Sequence, residues 1–174
     1  ASLTPSQDHD QTQRTHTFSV PRMHAASGSD VANSPSTFTD DNFIHAVTVL
    51  RLSVPYTGLI VTARETAELR DRCLDLGITQ MDASTRIDIG GYSQRNTTQK
   101  MDEQQFMLGD PRTLEQMIVD LARKGIITSF CTAGYRCGRT GGCIMDALKT
   151  GKEGTFCKIN AVLTYREWLD DFAS

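Results

Sequence analysis

Short apolar runs alternate along the chain with stretches whose apolar residues recur every third or fourth position, the pattern of strands separated by amphipathic helices. Residues 16–20 (HTFSV) predict a first strand, stopped by Pro21 and followed by a loop through Ser27, Gly28, Ser34 and Pro35. A helix follows, capped by Thr39 or Asp40, with Phe43, Ile44, Val47, Leu50 and Val54 on one face and Pro55 as its stop. Residues 57–62 (TGLIVT) are nearly unbroken apolar, as in a strand buried on both faces of a parallel sheet. Thr66 then caps a second helix with Leu69, Cys73 and Leu76 inward and Gly77 at its end. Residues 78–84 read as a third strand, and residues 85–109 as a long polar loop of the kind that is usually functional. In the third helix Asp110 is the expected cap, Pro111 the first helical residue, Leu114, Met117, Ile118 and Leu121 the apolar stripe, and Gly125 the stop. Residues 126–131 (IITSFC) predict a fourth strand, and the box Thr164-Tyr165-Arg166-Glu167 predicts the start of a C-terminal helix carrying Trp168, Leu169 and Phe172.

The order β-α-β-α-β-α-β requires parallel pairing through right-handed crossovers, which is half of a (β/α)8 barrel of the triosephosphate isomerase (TIM) type. With 174 residues the chain cannot close such a barrel and still supply a cysteine-rich tail, since a complete barrel takes about 200–250 residues. The expected class is therefore α/β, a half-barrel plus a small helical, cysteine-rich extension. Three parts are expected: a disordered linker over 1–15, βα units over 16–130, and a C-terminal part over 131–174. The half-barrel needs a partner, either the absent N-terminal half or another subunit. Eighteen Lys and Arg against 21 Asp and Glu leave a net charge of −3, which gathers no phosphate backbone and argues against nucleic acid as a partner. No stretch reaches the roughly 20 apolar residues of a membrane span, and the first 30 residues lack a signal-peptide core.

Five cysteines is an odd number, and four of them (Cys131, Cys137, Cys143, Cys157) crowd into the last part of the chain, favouring metal or redox chemistry over a disulfide framework. Cys73 belongs to the core by its place on a helix face. Cys131 ends the fourth strand, at the end of a parallel sheet where ligands collect. The glycines of CTAGYRCGRTGGC let the backbone wrap, and Arg136 and Arg139 favour the thiolate. Soft sulfur ligands select zinc or iron–sulfur clusters, and the absence of any C-x2-C pair removes the usual zinc knuckle. By spacing alone Cys131 and Cys157 are ligands or buried thiols, and Cys137 and Cys143 are ligands, surface thiols or a redox pair. Arg64 and Arg86 follow the second and third strands, where a guanidinium can meet a substrate carboxylate or remain a solvated loop charge. The pair Gly90-Gly91 opens no helix and reads as a loop turn.

The motifs HTFSVPR, RLSVPYTGLIVTARE, IGGYS, QFMLGDPRTLEQMIVDLARKGIITSFCTAGYR, GRTG and FCKINAVLTYREWLDDF carry a family resemblance from residue 16 to the end of the chain. They resemble the C-terminal half of the radical S-adenosylmethionine tyrosine lyases that mature [FeFe]-hydrogenase, relatives of the thiazole-pathway tyrosine lyase. The resemblance implies a TIM-type barrel followed by a C-terminal domain that holds an auxiliary 4Fe-4S cluster on a C-x2-C-x22-C motif, where a tyrosine-derived fragment becomes CO and cyanide. The three ligand positions fall on Cys131, 134 and Cys157, and position 134 is Gly134, with Cys137 or Cys143 as the available replacement. His16 matches the position that touches an extra iron at that cluster. The C-x3-C-x2-C motif that would bind the S-adenosylmethionine cluster is not in this sequence, so radical chemistry needs the absent half. Two functions follow: the cluster-binding C-terminal part of such a lyase, working with hydrogenase-maturation partners, or an inactive homologue serving as a scaffold. An oxygen-sensitive cluster implies a reducing compartment, whether cytoplasm, hydrogenosome or plastid.

Overall fold

The computed structural model describes residues 17–23, 38–88, 91, 106–130, 150–151 and 153–173. Its elements are β1 (Thr17–Ser19), α1 (Asp40–Ser53), β2 (Gly58–Val61), α2 (Ala67–Leu74), β3 (Gln80–Met81), α3 (Leu114–Arg123) and α4 (Glu153–Phe172). The three strands form one parallel sheet in the order β1-β2-β3, with Phe18 beside Leu59 and Val61 beside Met81.

Local chemistry explains the helix boundaries. Thr39 accepts the Asn42 N–H at 3.2 Å to open α1, Asp40 and Asp41 sit in its positive first turn, and Pro55 follows its C-cap Val54. Thr66 accepts the Leu69 N–H at 3.3 Å to open α2. Just beyond α2, Gly77 turns the chain at φ 85°, in the left-handed region. Arg51 gathers the carbonyls of Pro55, Thr57 and Gly77 at 2.6–2.8 Å, joining the end of α1 to the starts of β2 and β3.

Side chains alternate across the sheet. Leu59 and Val61 are buried, and with Phe18, Val20 and Met81 they face α1 and α2. Phe43 and Val47 of α1 and Leu69 and Cys73 of α2 complete that core, every one of them at most 1% exposed. Removing each such side chain from water contributes about 1.5–3 kcal/mol. The opposite face carries Thr17, Ser19, Ile60, Thr62 and Gln80, half-buried or exposed. Here β2 departs from the doubly buried strand its composition predicts: both of its faces become buried only when something covers the second.

Three further expectations change. Asp110 does not cap α3, and Pro111 is not its first residue; the helix starts at Leu114 with Thr113 as cap. Thr113 and Gln116 exchange hydrogen bonds in a capping box at 3.2 and 2.9 Å, while the Asp110 carboxylate is engaged by Arg70 and Arg112. Residues 126–130 form no strand, and Ile126, Ile127 and Phe130 are 38–49% exposed. β3 pairs through two residues only, too short an edge to template a fourth strand. The box at Thr164 does not start a helix either. α4 runs through it, because the Thr164 hydroxyl donates to the carbonyls of Asn160 and Ala161 at 3.0 and 3.2 Å instead of capping. No helix among the described residues is long and apolar enough to cross a membrane.

Candidate functional site

In a parallel sheet the strands all end on one side, so their following segments share a rim. Here that rim comprises Pro21 and Arg22 after β1, residues 62–65 after β2, and residues 82–86 after β3. Arg22 is committed within it. Its guanidinium binds the fully buried Glu65 through both Nε and Nη2, reaches Asp40 at 2.8 Å, and lies 5.2 Å over the ring of Phe43. The hydrogen bonds that Arg22 donates to Glu65 hold its pKa above its ordinary value, so this charge is fixed at every physiological pH.

Arg64 is differently placed. It is half-buried, with its guanidinium 4.3 Å from the centroid of the Phe106 ring. Phe106 is brought there by the segment returning to α3, whose Gly109 and Asp110 N–H groups both bond the Ala63 carbonyl, at 2.9 and 3.1 Å. Only glycine fits at 109, since a Cβ would lie 2.6 Å from the Arg64 carbonyl oxygen. Arg86 follows β3, the neighbouring parallel strand, and is half-buried. The two arginines expected to meet a carboxylate therefore leave adjacent strands at the same end.

Beneath the rim lies a charge network that the hydrophobic pattern does not reveal. Arg70, 1% exposed, binds Asp110 at 2.6 Å and the Asp82 carbonyl at 2.5 Å. Arg112 clasps the same Asp110 carboxylate at 2.7–3.1 Å and also reaches Asp71 and Asp120, while Lys124 binds Asp71 at 2.5 Å. Burial pushes the Asp110 pKa up, but the hydrogen bonds from Arg112 and the charges of Arg70 and Arg112 outweigh it, and the net shift is downward. The network ties the ends of β2 and β3 to α2 and α3. Its sequence signal was present: Asp110-Pro111-Arg112 and Arg70-Asp71 place charges beside apolar stripes, where a buried charge requires a partner.

Of the expected iron ligands, His16, Cys131, Cys137 and Cys143 lie outside the described residues, as do Gly134 and Gly90. Cys157 is exposed on α4, and Cys73 is fully buried in the core. Among the described residues no group of three His, Cys, Asp or Glu side chains is arranged to hold a metal ion.

Residues 19–127 match the Biotin and Thiamin Synthesis associated domain. The chain belongs to that family. The chain is similar to a solved structure of HydG, a maturase of the [FeFe]-hydrogenase, at 36% identity and a TM-score of 0.79, over 91% of this chain and 34% of that one. It is also similar to the FeFe-hydrogenase maturase HydG from Carboxydothermus hydrogenoformans, at 39% identity and a TM-score of 0.56, over 70% of this chain and 26% of that one. The chain thus spans about a third or less of the length of these maturases. No curated protein matches it.

Proposed function

We propose that this chain is the C-terminal part of a HydG-like radical S-adenosylmethionine tyrosine lyase, which completes a TIM-type barrel with the N-terminal half and carries an auxiliary iron–sulfur cluster. The observation supporting this most directly is the likeness to HydG over 91% of the chain at 36% identity. The half-open sheet agrees with it. The face turned away from the helices carries hydroxyl and amide side chains around the single branched residue Ile60, where a filled barrel interior would be dominated by bulky branched ones. On that face Thr62 Oγ1 is buried and has no hydrogen-bond partner among the described residues, and a buried hydroxyl is ordinarily satisfied. In this reading the second half of the barrel covers the face and leaves a polar passage.

Arg64 and Arg86 would bind the substrate carboxylate, and Arg22, locked on Glu65, would hold the rim in shape without meeting substrate. Cys131 and Cys157, with Cys137 or Cys143 for the missing third thiolate and His16 as a further ligand, would hold the 4Fe-4S cluster, which would supply iron for the conversion of a tyrosine-derived fragment to CO and cyanide. S-adenosylmethionine would bind only in the N-terminal half, and hydrogenase-maturation proteins would receive the product in a reducing compartment such as the cytoplasm, a hydrogenosome or a plastid.

Anaerobic reconstitution with iron and sulfide, followed by visible and paramagnetic resonance spectra, tests the ligand set. We expect a labile, substoichiometric cluster in the wild type and none in Cys157→Ala; the same spectrum in both would refute Cys157 as a ligand. A second reading, a scaffold without a cluster, is favoured by Gly134 at a ligand position. Absence of any cluster in the wild type, even with the N-terminal half present, would select it.

A further inference from the structure

α4 presents two unlike sides. Ile159, Val162, Leu163 and Leu169 recur on one, and Thr164, Glu167, Trp168, Asp171 and Phe172 recur on the other. The second side forms one wall of a groove of about 750 Å³, whose other wall is Ser84 and the first turn of α3. Phe130, Trp168 and Phe172 run along it as a row. Their ring centroids are 6.5 and 6.3 Å apart and their planes inclined by 25° and 34°, within the range of favourable aromatic pairing. Glu115, Glu167 and Asp171 line the same groove, and among the described residues no lysine, arginine or histidine does. Among the described residues no ion pair reaches these three carboxylates, whereas the neighbouring Asp170 has Arg166 at 3.9 Å.

Aromatic faces and carboxylates attract the same thing: a cation attached to an apolar stem. We propose that this groove docks an amphipathic helix of a partner protein, entering with lysine or arginine beside leucine-like side chains. The apolar part covers the aromatic row, and the cations meet Glu115, Glu167 and Asp171. An acidic helix of the same shape is rejected by like charge. The inference stands whether or not the chain carries a cluster, because none of these residues is a candidate ligand.

Trp168 is the chain's single tryptophan, so its emission reports on the groove directly. The probes are a synthetic amphipathic Leu/Lys peptide and its Leu/Glu counterpart, titrated into the full chain. The expected result is a saturable shift of the tryptophan emission with the Leu/Lys peptide alone. Affinity should fall roughly tenfold in Glu167→Gln/Asp171→Asn and stay unchanged in Asp41→Asn/Glu68→Gln, which removes the same charge from elsewhere on the surface. Equal responses to both peptides, or equal losses in both variants, would overturn the proposal. So would a shift without peptide that tracks a doubling of mass on gel filtration, which would assign the groove to a second copy of the chain.

Discussion

In the α/β unit Phe43, Val47, Leu59, Val61 and Cys73 are fully enclosed, whereas α4 leaves Ile159, Val162, Leu163 and Phe172 half or more exposed. Charge follows the same division. Around α2 and α3, Asp71, Asp110 and Asp120 each meet a guanidinium or ammonium group, while Glu115, Glu167 and Asp171 beside the aromatic row meet none among the described residues. The α/β unit satisfies its own apolar and charged groups on one side of the sheet. The groove side of α4 and the open face of the sheet leave such groups uncovered among the described residues. Stability should therefore reside in the first region and recognition in the second.

Substitutions can break that contrast, and the largest effect is expected at Asp110. Asp110→Ala leaves Arg70 buried with its main counter-charge gone, a loss of about 3–5 kcal/mol, measured as a lower urea midpoint. Gly109→Ala should cost about 1–3 kcal/mol, because the new Cβ meets backbone that has no room to yield. Restoration of the midpoint by Gly109→Ser would contradict the close approach.

Alkaline titration probes the core from another direction. Burial, and to a smaller extent the charge of Glu65, push the Cys73 thiol from 9.0 up to about 11. The folded state keeps its proton where the unfolded chain loses it, so this contribution is complete below pH 9 and is lost as pH rises toward 11. Urea midpoints should fall across that window, and the fall attributable to the thiol should vanish in Cys73→Ala. Smaller still, Thr113→Ala removes the cap of α3 at a cost of about 1 kcal/mol, whereas Ile159→Ala on α4 should stay within about 0.5 kcal/mol. If Ile159→Ala destabilised the chain as much as Thr113→Ala, α4 would be part of the same cooperative core and the contrast would fail.

The hydrophobic spacing made α1, β2 and α2 legible almost to the residue, because Thr39, Pro55, Thr66 and Gly77 act through their own local backbone. It misplaced the start of α3, because whether Asp110 caps a helix or binds a guanidinium depends on Arg70, forty positions away. The fourth strand failed for a related reason: residues 126–130 have strand composition, yet a strand exists only where an edge is available to pair with it. At the rim, the arginines after β2 and β3 were visible as positions. The engagement of Arg22 with Glu65 and of Arg64 with Phe106 was not, since both contacts join segments distant in sequence.

Sequence alone determined the alternation of α1, β2 and α2, the caps Thr39 and Thr66, and the likeness to the hydrogenase-maturing lyases, all of which are written in short-range spacing and residue type. Tertiary structure decided which charges are consumed inside the unit and which face outward, and which side of the sheet is covered. Those outcomes depend on distances between residues that the chain order leaves free, and burial makes each of them an all-or-none matter of finding a partner.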